Sequence, residues 1–272
     1  MYTQPTRRLK LEADLCLAIA KNEFELSYQP IVSLNNKTIQ IVGFEALLRW
    51  RLPDNSVISP DEFIPITEDT GLIIAVGEWV IEKSCLQLQK WRLQFPHLKN
   101  LYVSVNLSGK QLNEGGNLIG QLDCILAQTG CLGKNLKLEI TESVLIENSQ
   151  HIYPLLAELK SRSIQISLDD FGTGFSSLSY LNRFKVDTLK LDRSFVKTMV
   201  QEQRSLSIIQ SIISLGHQLG MEIVAEGVET QEQYTYLRAL ECDYFQGYYF
   251  SEPLVKEDIE TLLKQGLSKG TS

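Results

Sequence analysis

The sequence predicts one α/β domain closed into a barrel, with an irregular start. Short apolar strand patterns alternate with amphipathic helical patterns along nearly the whole chain, as expected for strands covered by helices. About eight strand candidates occur, which favours a closed barrel over an open sheet. The length of 272 residues suits a single barrel, which typically needs roughly 250. No linker, repeat or break in composition divides the chain.

Leu11, Leu15, Ala18 and Ile19 recur at helical spacing, so residues 1–22 are expected to form a lead-in helix before a domain at 23–268. Phe24 to Val32 reads as a strand interrupted by Pro30, with Gln29 near its end. The polar loop Asn35-Asn36-Lys37 leads to a second strand, Ile39 to Phe44, followed by Glu45-Ala46-Leu47-Leu48-Arg49-Trp50. So short a link makes these two strands antiparallel. Pro53-Asp54-Asn55 is a turn, and Ser59-Pro60 fits an N-cap and first helical position. A helix is expected from about Gly71 to Phe95, then a strand from Leu101 to Val105 ending at Asn106. Another helix lies near Leu118 to Gln128, and the strand Leu136 to Ile140 carries Glu139. Ile152, Leu155, Leu156 and Leu159 mark the next helix; Ile164, Ile166 and Leu168 alternate in a strand ending at Asp169. A short helix follows at Leu178 to Leu181, then the strand Val186 to Leu191 with Lys190 inside it. Leu206, Ile209, Ile213 and Leu219 define a long helix, and Glu222 to Ala225 a strand ending at Glu226. Thr230 opens a helix to Leu240, Tyr244-Phe245 leads to Gln246, and Lys256 to Leu267 closes the chain.

Composition narrows the function. Apolar residues make up 43% and charged residues 22%, ordinary for a soluble globular protein. The net charge of −7 argues against non-specific binding to DNA or long RNA. It permits a small phosphate ligand, because a bound metal inverts the local sign. Cys16, Cys85, Cys124, Cys131 and Cys242 form no CxxC pair and read as reduced thiols of a cytoplasmic protein. The first residues lack a signal-peptide run, and no stretch reaches the roughly 18 apolar residues of a membrane span.

The strand ends hold the chemistry. Gln29, Glu45, Asn106, Asp169, Asp170, Glu226 and Gln246 sit at or near them, and Glu139 and Lys190 lie inside apolar strands. In α/β barrels the C-terminal strand ends form one face, so residues distant in sequence converge there. Carboxylates and amides are oxygen donors, which suit magnesium or manganese rather than zinc or copper. None of the three histidines, His97, His151 and His217, belongs to the set. Adjacent Asp169 and Asp170 repel unless one is neutral or a cation binds both; alone, the pair reads equally as a solvated turn. Glu139 and Lys190 need partners for their buried charges. A single salt bridge plugging the barrel satisfies those two and leaves the other acids unexplained. A carboxylate cluster around two cations suits water attack at phosphorus, with lysine as a fixed positive charge.

Seven segments together resemble one family: Glu45-Ala46-Leu47 with Arg49, Asn106-Leu107-Ser108, Glu139-Ile140-Thr141-Glu142-Ser143, Asp169-Asp170-Phe171-Gly172-Thr173-Gly174, Lys190-Leu191-Asp192, Glu226-Gly227-Val228-Glu229 and Gln246-Gly247. They are similar, in the same order, to the motifs of EAL-domain phosphodiesterases, which hydrolyse cyclic di-GMP to linear pGpG. The resemblance runs from about Leu11 to Leu267. It implies a modified TIM-type barrel with an antiparallel first strand and two Mg2+ or Mn2+ ions. Glu45, Asn106, Glu139 and Asp169 then hold one metal, with Asp169 bridging to a second that Asp170 also binds. Glu226 stands near that metal as a ligand or a general base, and Lys190 orients the attacking water. Gln29, Arg49 and Gln246 contact substrate, while Glu142 and Glu229 hold loops and ligands in place. Residues 170–178 match a loop that couples metal binding to dimerisation, which implies a homodimer. Relatives often carry sensory or GGDEF domains. Competing readings of single residues are a surface ion pair for Arg49, a turn for Gln246, and helix caps for Glu142 and Asp192. Thr67 and Glu252 replace a common alanine and a common lysine. An alternative is a receptor or protein-interaction module on the same fold; such relatives typically lack a ligand residue, and this sequence lacks none.

Overall fold

A computed structural model describes residues 4–35, 38–113, 117–147, 149–172 and 184–267. The first two strands, β1 (Phe24–Asn35) and β2 (Thr38–Arg51), form a long antiparallel hairpin paired from Phe24↔Trp50 to Asn35↔Thr38. Only part of β2 belongs to the barrel wall: Gly43 to Ala46 pair in parallel with β4 (Tyr102–Asn106). The remainder extends outward and adds the two-residue β3 (Val57–Ile58) at Trp50 and Arg51. The wall then runs in parallel through β5 (Leu136–Thr141), β6 (Gln165–Phe171), β7 (Thr188–Leu191), β8 (Glu222–Ala225) and β9 (Tyr244–Phe245). β9 pairs antiparallel with Val32 and Ser33 of β1, which closes an eight-stranded barrel with one reversed strand. The expected fold class is the one observed.

The walls show why these segments are strands. Leu136, Leu138 and Ile140 face outward from β5, as Val103 and Val105 do from β4 and Leu189 and Leu191 from β7; all are essentially buried beneath helices. Side chains of opposite parity point into the barrel and are mostly polar: Ser104, Lys137, Glu139, Ser167, Thr188 and Lys190 are all buried. A barrel interior is commonly packed with branched apolar residues. Here it is a polar column, and its charges are distributed between the two ends. At the end away from the strand tips, the Lys137 ammonium bonds Thr188 at 3.1 Å and Glu222 at 3.3 Å, over the Tyr102 ring.

Among the helices, α1 (Gln4–Ala18) packs Leu11, Leu15 and Ala18 into the common core. Arg7 and Arg8 tie it to Glu62 and Asp69 of α2 (Pro60–Thr70). The long α3 (Ile73–Gln94) sets Trp91 against Tyr28 and Phe44, with ring centroids 4.8 and 4.9 Å apart. α4 (Gly109–Asn113), α5 (Leu118–Thr129), α6 (Glu142–Glu147) and α7 (Ser149–Ser161) cover β4 to β6. α8 (Arg193–Thr198), α9 (Gln203–Gln218), α10 (Gln231–Ala239) and α11 (Lys256–Gln265) complete the described α-helices.

Several expected boundaries move. β2 continues to Arg51 rather than ending at Phe44, so Glu45 lies within a ladder, opposite Gln29. The reason is the hairpin: Ala46 and Trp50 stay buried against the start of β1 and sustain pairing beyond the barrel. Ser59 has extended backbone before α2 but makes no side-chain cap bond, whereas Thr230 and Gln233 form a full capping box at α10. The helix expected at Leu178 to Leu181 and the loop beyond Gly172 lie outside the described residues.

Gly247 is fixed by close approach of two backbone segments. A Cβ there would fall 2.2 Å from the Val228 carbonyl oxygen and 2.3 Å from its nitrogen. Neither backbone atom can rotate away. Gly247→Ala is expected to lower unfolding stability by about 1–3 kcal/mol, as other overpacking does, measured by urea denaturation.

Candidate active site

The barrel mouth is built by strand register. Asn106 pairs beside Glu139, Thr141 beside Asp169, and Gln29 beside Glu45, so their side chains enter one opening at similar height. β6 then breaks its rhythm. Leu168 pairs with Leu189, but the next pair is Phe171 with Leu191, which leaves Asp169 and Asp170 in a bulge. Asp170 adopts φ +54°, a left-handed conformation uncommon for a side-chain-bearing residue. Bulges re-aim side chains. Successive strand residues normally point to opposite faces; here carboxylate oxygens of Asp169, Asp170 and Glu226 all lie within 4.8 Å of one another.

Lys190 stands among the acids. Its ammonium lies 2.5 Å from Glu139, 2.6 Å from Glu226, 3.3 Å from Asp169 and 3.5 Å from Glu45. The side chain is 1% exposed, so water does not supply the compensation. Burial opposes the Lys190 charge, but Asp169, Glu139, Glu226 and Glu45 outweigh it and hold its pKa well above the ordinary lysine value. A simple plug of the barrel would be a single pair; Lys190 instead serves four carboxylates.

Amides fix the rest. Asn106 Nδ2 donates to Glu45 Oε1 and Gln246 Nε2 to Glu45 Oε2, each at 2.7 Å. Gln246 also donates to Gln29 Oε1 at 3.0 Å, and Gln29 in turn donates to the Ser251 carbonyl at 3.2 Å. Burial works against the Glu45 charge, yet Lys190, Gln246 and Asn106 together hold its pKa below the usual glutamate value. Glu142 Oε2 accepts from the Gly172 backbone at 3.3 Å and so braces the segment after the aspartates. Glu229 lines the cleft with an exposed side chain, while its backbone N–H donates to Gln233.

One lysine does not satisfy the cluster. Burial, reinforced by Asp169 and Glu45, pushes Glu226 up to about 8 against the pull of Lys190. Burial likewise raises Glu139 well above its ordinary value, and burial with Asp169 and Asp192 raises Asp170. When all five carboxylates are ionised, one ammonium leaves four negative charges, which two divalent cations would balance. The donor set is all oxygen, which fits hard cations. Glu45, Asn106, Glu139, Asp169, Asp170 and Glu226 are the residues that could hold them.

A cleft of about 490 Å³ opens above the acids. Arg49, Arg193, Tyr248 and Pro253 line it beside the residues already named. Arg49 is half-buried, and its guanidinium donates to the Leu48 carbonyl at 3.0 Å. The sequence reading passed over Arg193 and Tyr248, whose neighbourhood depends on the loops after β7 and β9. Asp192, read as a possible cap, does cap α8 by accepting from Ser194 N, and it lines the cleft as well.

Known proteins match this chain over nearly its full length. Cyclic di-GMP phosphodiesterase NbdA of Pseudomonas aeruginosa is 37% identical over 264 residues, covering 97% of this chain and 33% of the relative. Oxygen sensor protein DosP of Escherichia coli is 41% identical over 252 residues, covering 93% and 31%. The chain thus spans about a third of the length of these curated relatives. Among solved structures, PaMucR phosphodiesterase in complex with c-di-GMP superposes with a TM-score of 0.86 at 36% identity, covering 92% of this chain and 99% of that one. The EAL enzyme Bd1971, in a form with cAMP and cyclic di-GMP bound, gives 0.87 at 35% identity, covering 96% and 70%. A model of the EAL domain family matches residues 12–253, a span that holds every barrel strand and every acid of the mouth, and the chain belongs to that family.

Proposed function

We propose that this domain hydrolyses one phosphodiester bond of cyclic di-GMP to give linear 5′-pGpG, using Mg2+ or Mn2+. The supporting observation is Lys190 among four carboxylates, two of which, Asp169 and Glu226, join Asp170 in a trio spaced for cation binding. Relatives named as cyclic di-GMP phosphodiesterases at 36–37% identity support the substrate. Glu45, Asn106, Glu139 and Asp169 would hold one ion, and Asp169, Asp170 and Glu226 would hold the second. The ions, when bound, acidify water and neutralise charge on the phosphate. Lys190 keeps the water in line with phosphorus and adds a fixed positive charge. Glu226 accepts the proton of the water as the oxygen bonds phosphorus. The bond from phosphorus to the ribose 3′-oxygen breaks, and the proton that Glu226 took from the water passes to that oxygen, which leaves as a hydroxyl. Arg49 engages a phosphate oxygen; Gln246 holds Glu45 and is itself held by Gln29, and both amides face the substrate edge. Glu142 and Glu229 steady the two loops that carry the acids.

No helix among the described residues is long and apolar enough to cross a membrane. We place the domain in the cytoplasm, as a homodimer, with residues 1–22 leading in from a sensory or GGDEF domain in a longer chain. The test is direct. Purified protein incubated with cyclic di-GMP and Mg2+ or Mn2+ yields pGpG by chromatography, and EDTA stops it. Binding of the dinucleotide without turnover in either metal would favour the receptor reading instead.

A further inference from the structure

We propose that Arg193 is a second phosphate contact, the one that makes the cleft select a ligand with two phosphates; the proposal rests on the cyclic dinucleotide reading above. Arg193 opens α8 directly after β7 and lines the cleft together with Asp170, Asp192 and Glu226. Arg49, at the end of the hairpin, lines it too.

Two features hold Arg193 in place. Gly227 has φ +65°, and a Cβ on it would lie 2.6 Å from the Arg193 Cβ and 3.3 Å from its Cα. The first turn of α8 is therefore pressed onto the loop that follows Glu226. Asp192 Oδ1 accepts from Ser194 N at 3.0 Å and fixes the same turn. The guanidinium makes no contact ion pair among the described residues, although its charge acts on Asp170 at longer range. Among the described residues, Arg193 and Arg49 make no salt bridge, although both line a cleft that also holds Glu45, Asp169, Asp170, Asp192, Glu226 and Glu229. An arginine without a contact ion pair at such a rim is a fixed cation for an incoming anion.

The substrate supplies the need. In a cyclic dinucleotide one phosphodiester meets the acid and metal cluster, and the ring keeps the other close by. With Arg49 and the metal cluster committed to the reacting phosphate, the second phosphate would otherwise face Asp170, Asp192 and Glu226 without a cation of its own. A cyclic mononucleotide has no second phosphate and gains nothing from Arg193.

The experiment measures kcat and KM for cyclic di-GMP with Mg2+ in wild type, Arg193→Ala and Arg193→Lys. Loss of one charge-assisted contact raises KM about tenfold or more in Arg193→Ala, kcat falls less than threefold, and Arg193→Lys recovers part of the loss. The KM of wild type also rises more steeply with salt than that of Arg193→Ala. An active wild type with an unchanged KM in Arg193→Ala overturns the role of Arg193 alone. An equal fall in kcat and kcat/KM, with KM unchanged, also overturns it, because the contact would then belong to the reacting phosphate. A wild type that neither binds nor cleaves the dinucleotide overturns the underlying function and the proposal with it.

Discussion

Lys190→Met is expected to lower kcat for cyclic di-GMP by about 10³-fold, the scale of losing one preorganised electrostatic contact, while the domain still binds divalent cations. Methionine matches the length and packing of the lysine stem and removes only the ammonium. The water then loses the group that keeps it in line, and the developing charge loses a fixed cation. Metal binding should persist or tighten, because Lys190 competes with cations for Glu139, Glu226, Asp169 and Glu45. The same competition sets the stability of the variant. Metal-free Lys190→Met leaves buried carboxylates without their partner, a loss of about 3–5 kcal/mol. Saturating Mg2+ should restore most of it, so circular dichroism with the metal present separates misfolding from inactivity. Calorimetric titration checks metal binding and chromatography checks turnover. Full activity in the folded variant would remove Lys190 from the reaction; lost metal binding would make it a structural part of the cation site.

Lys190 was legible because a charge inside a four-residue apolar strand demands partners, and the same logic identified Glu139. Lys137 escaped although it lies two residues before Glu139 and faces the same way. Its partners Thr188, Glu222 and the Tyr102 ring come from three other strands, and only the closed barrel assembles them. The hairpin was legible as antiparallel, but its length was not. Glu45 looked like the end of a strand because the barrel wall does end nearby, whereas β2 continues as a ribbon paired to β1. The Asp169-Asp170 bulge is less accessible still. It depends on where β7 takes up pairing again, at Leu191 with Phe171, and nothing local to the aspartates encodes that register. Arg193 reads as an ordinary helix-surface residue until Gly227 is seen beneath it. Residue types at strand ends are thus local information, whereas cross-strand register and loop contact are set by the whole fold.

The metal-free domain should lose stability as pH rises, and divalent cations should reverse the trend. Glu226 has its pKa pushed from the ordinary 4.5 up to about 8, mainly by burial. An acid raised in this way binds more protons folded than unfolded between those values, so stability falls across that window. The penalty is absent below about 4.5 and complete above about 8, and for Glu226 alone its ceiling is about 5 kcal/mol. Burial raises Glu139 and Asp170 in the same direction. Glu45 carries the opposite sign, since its lowered pKa contributes stability that is lost only as pH falls below the usual glutamate range. Lys190 contributes stability lost only above the ordinary lysine value, outside the window. In EDTA, Tm should therefore fall from about pH 5 to about pH 8. Cations bind the ionised carboxylates, so the gain in Tm on adding Mg2+ should widen over the same range; binding at a hundred times Kd contributes about 2.7 kcal/mol. Glu226→Gln cannot ionise and should flatten much of the slope in EDTA. Scanning calorimetry at several pH values, with and without Mg2+, checks both. A Tm that stays level in EDTA from pH 5 to 8, or a Mg2+ increment that does not grow with pH, would mean that the buried acids are already neutralised within the fold and that the mouth has no electrostatic need for metal.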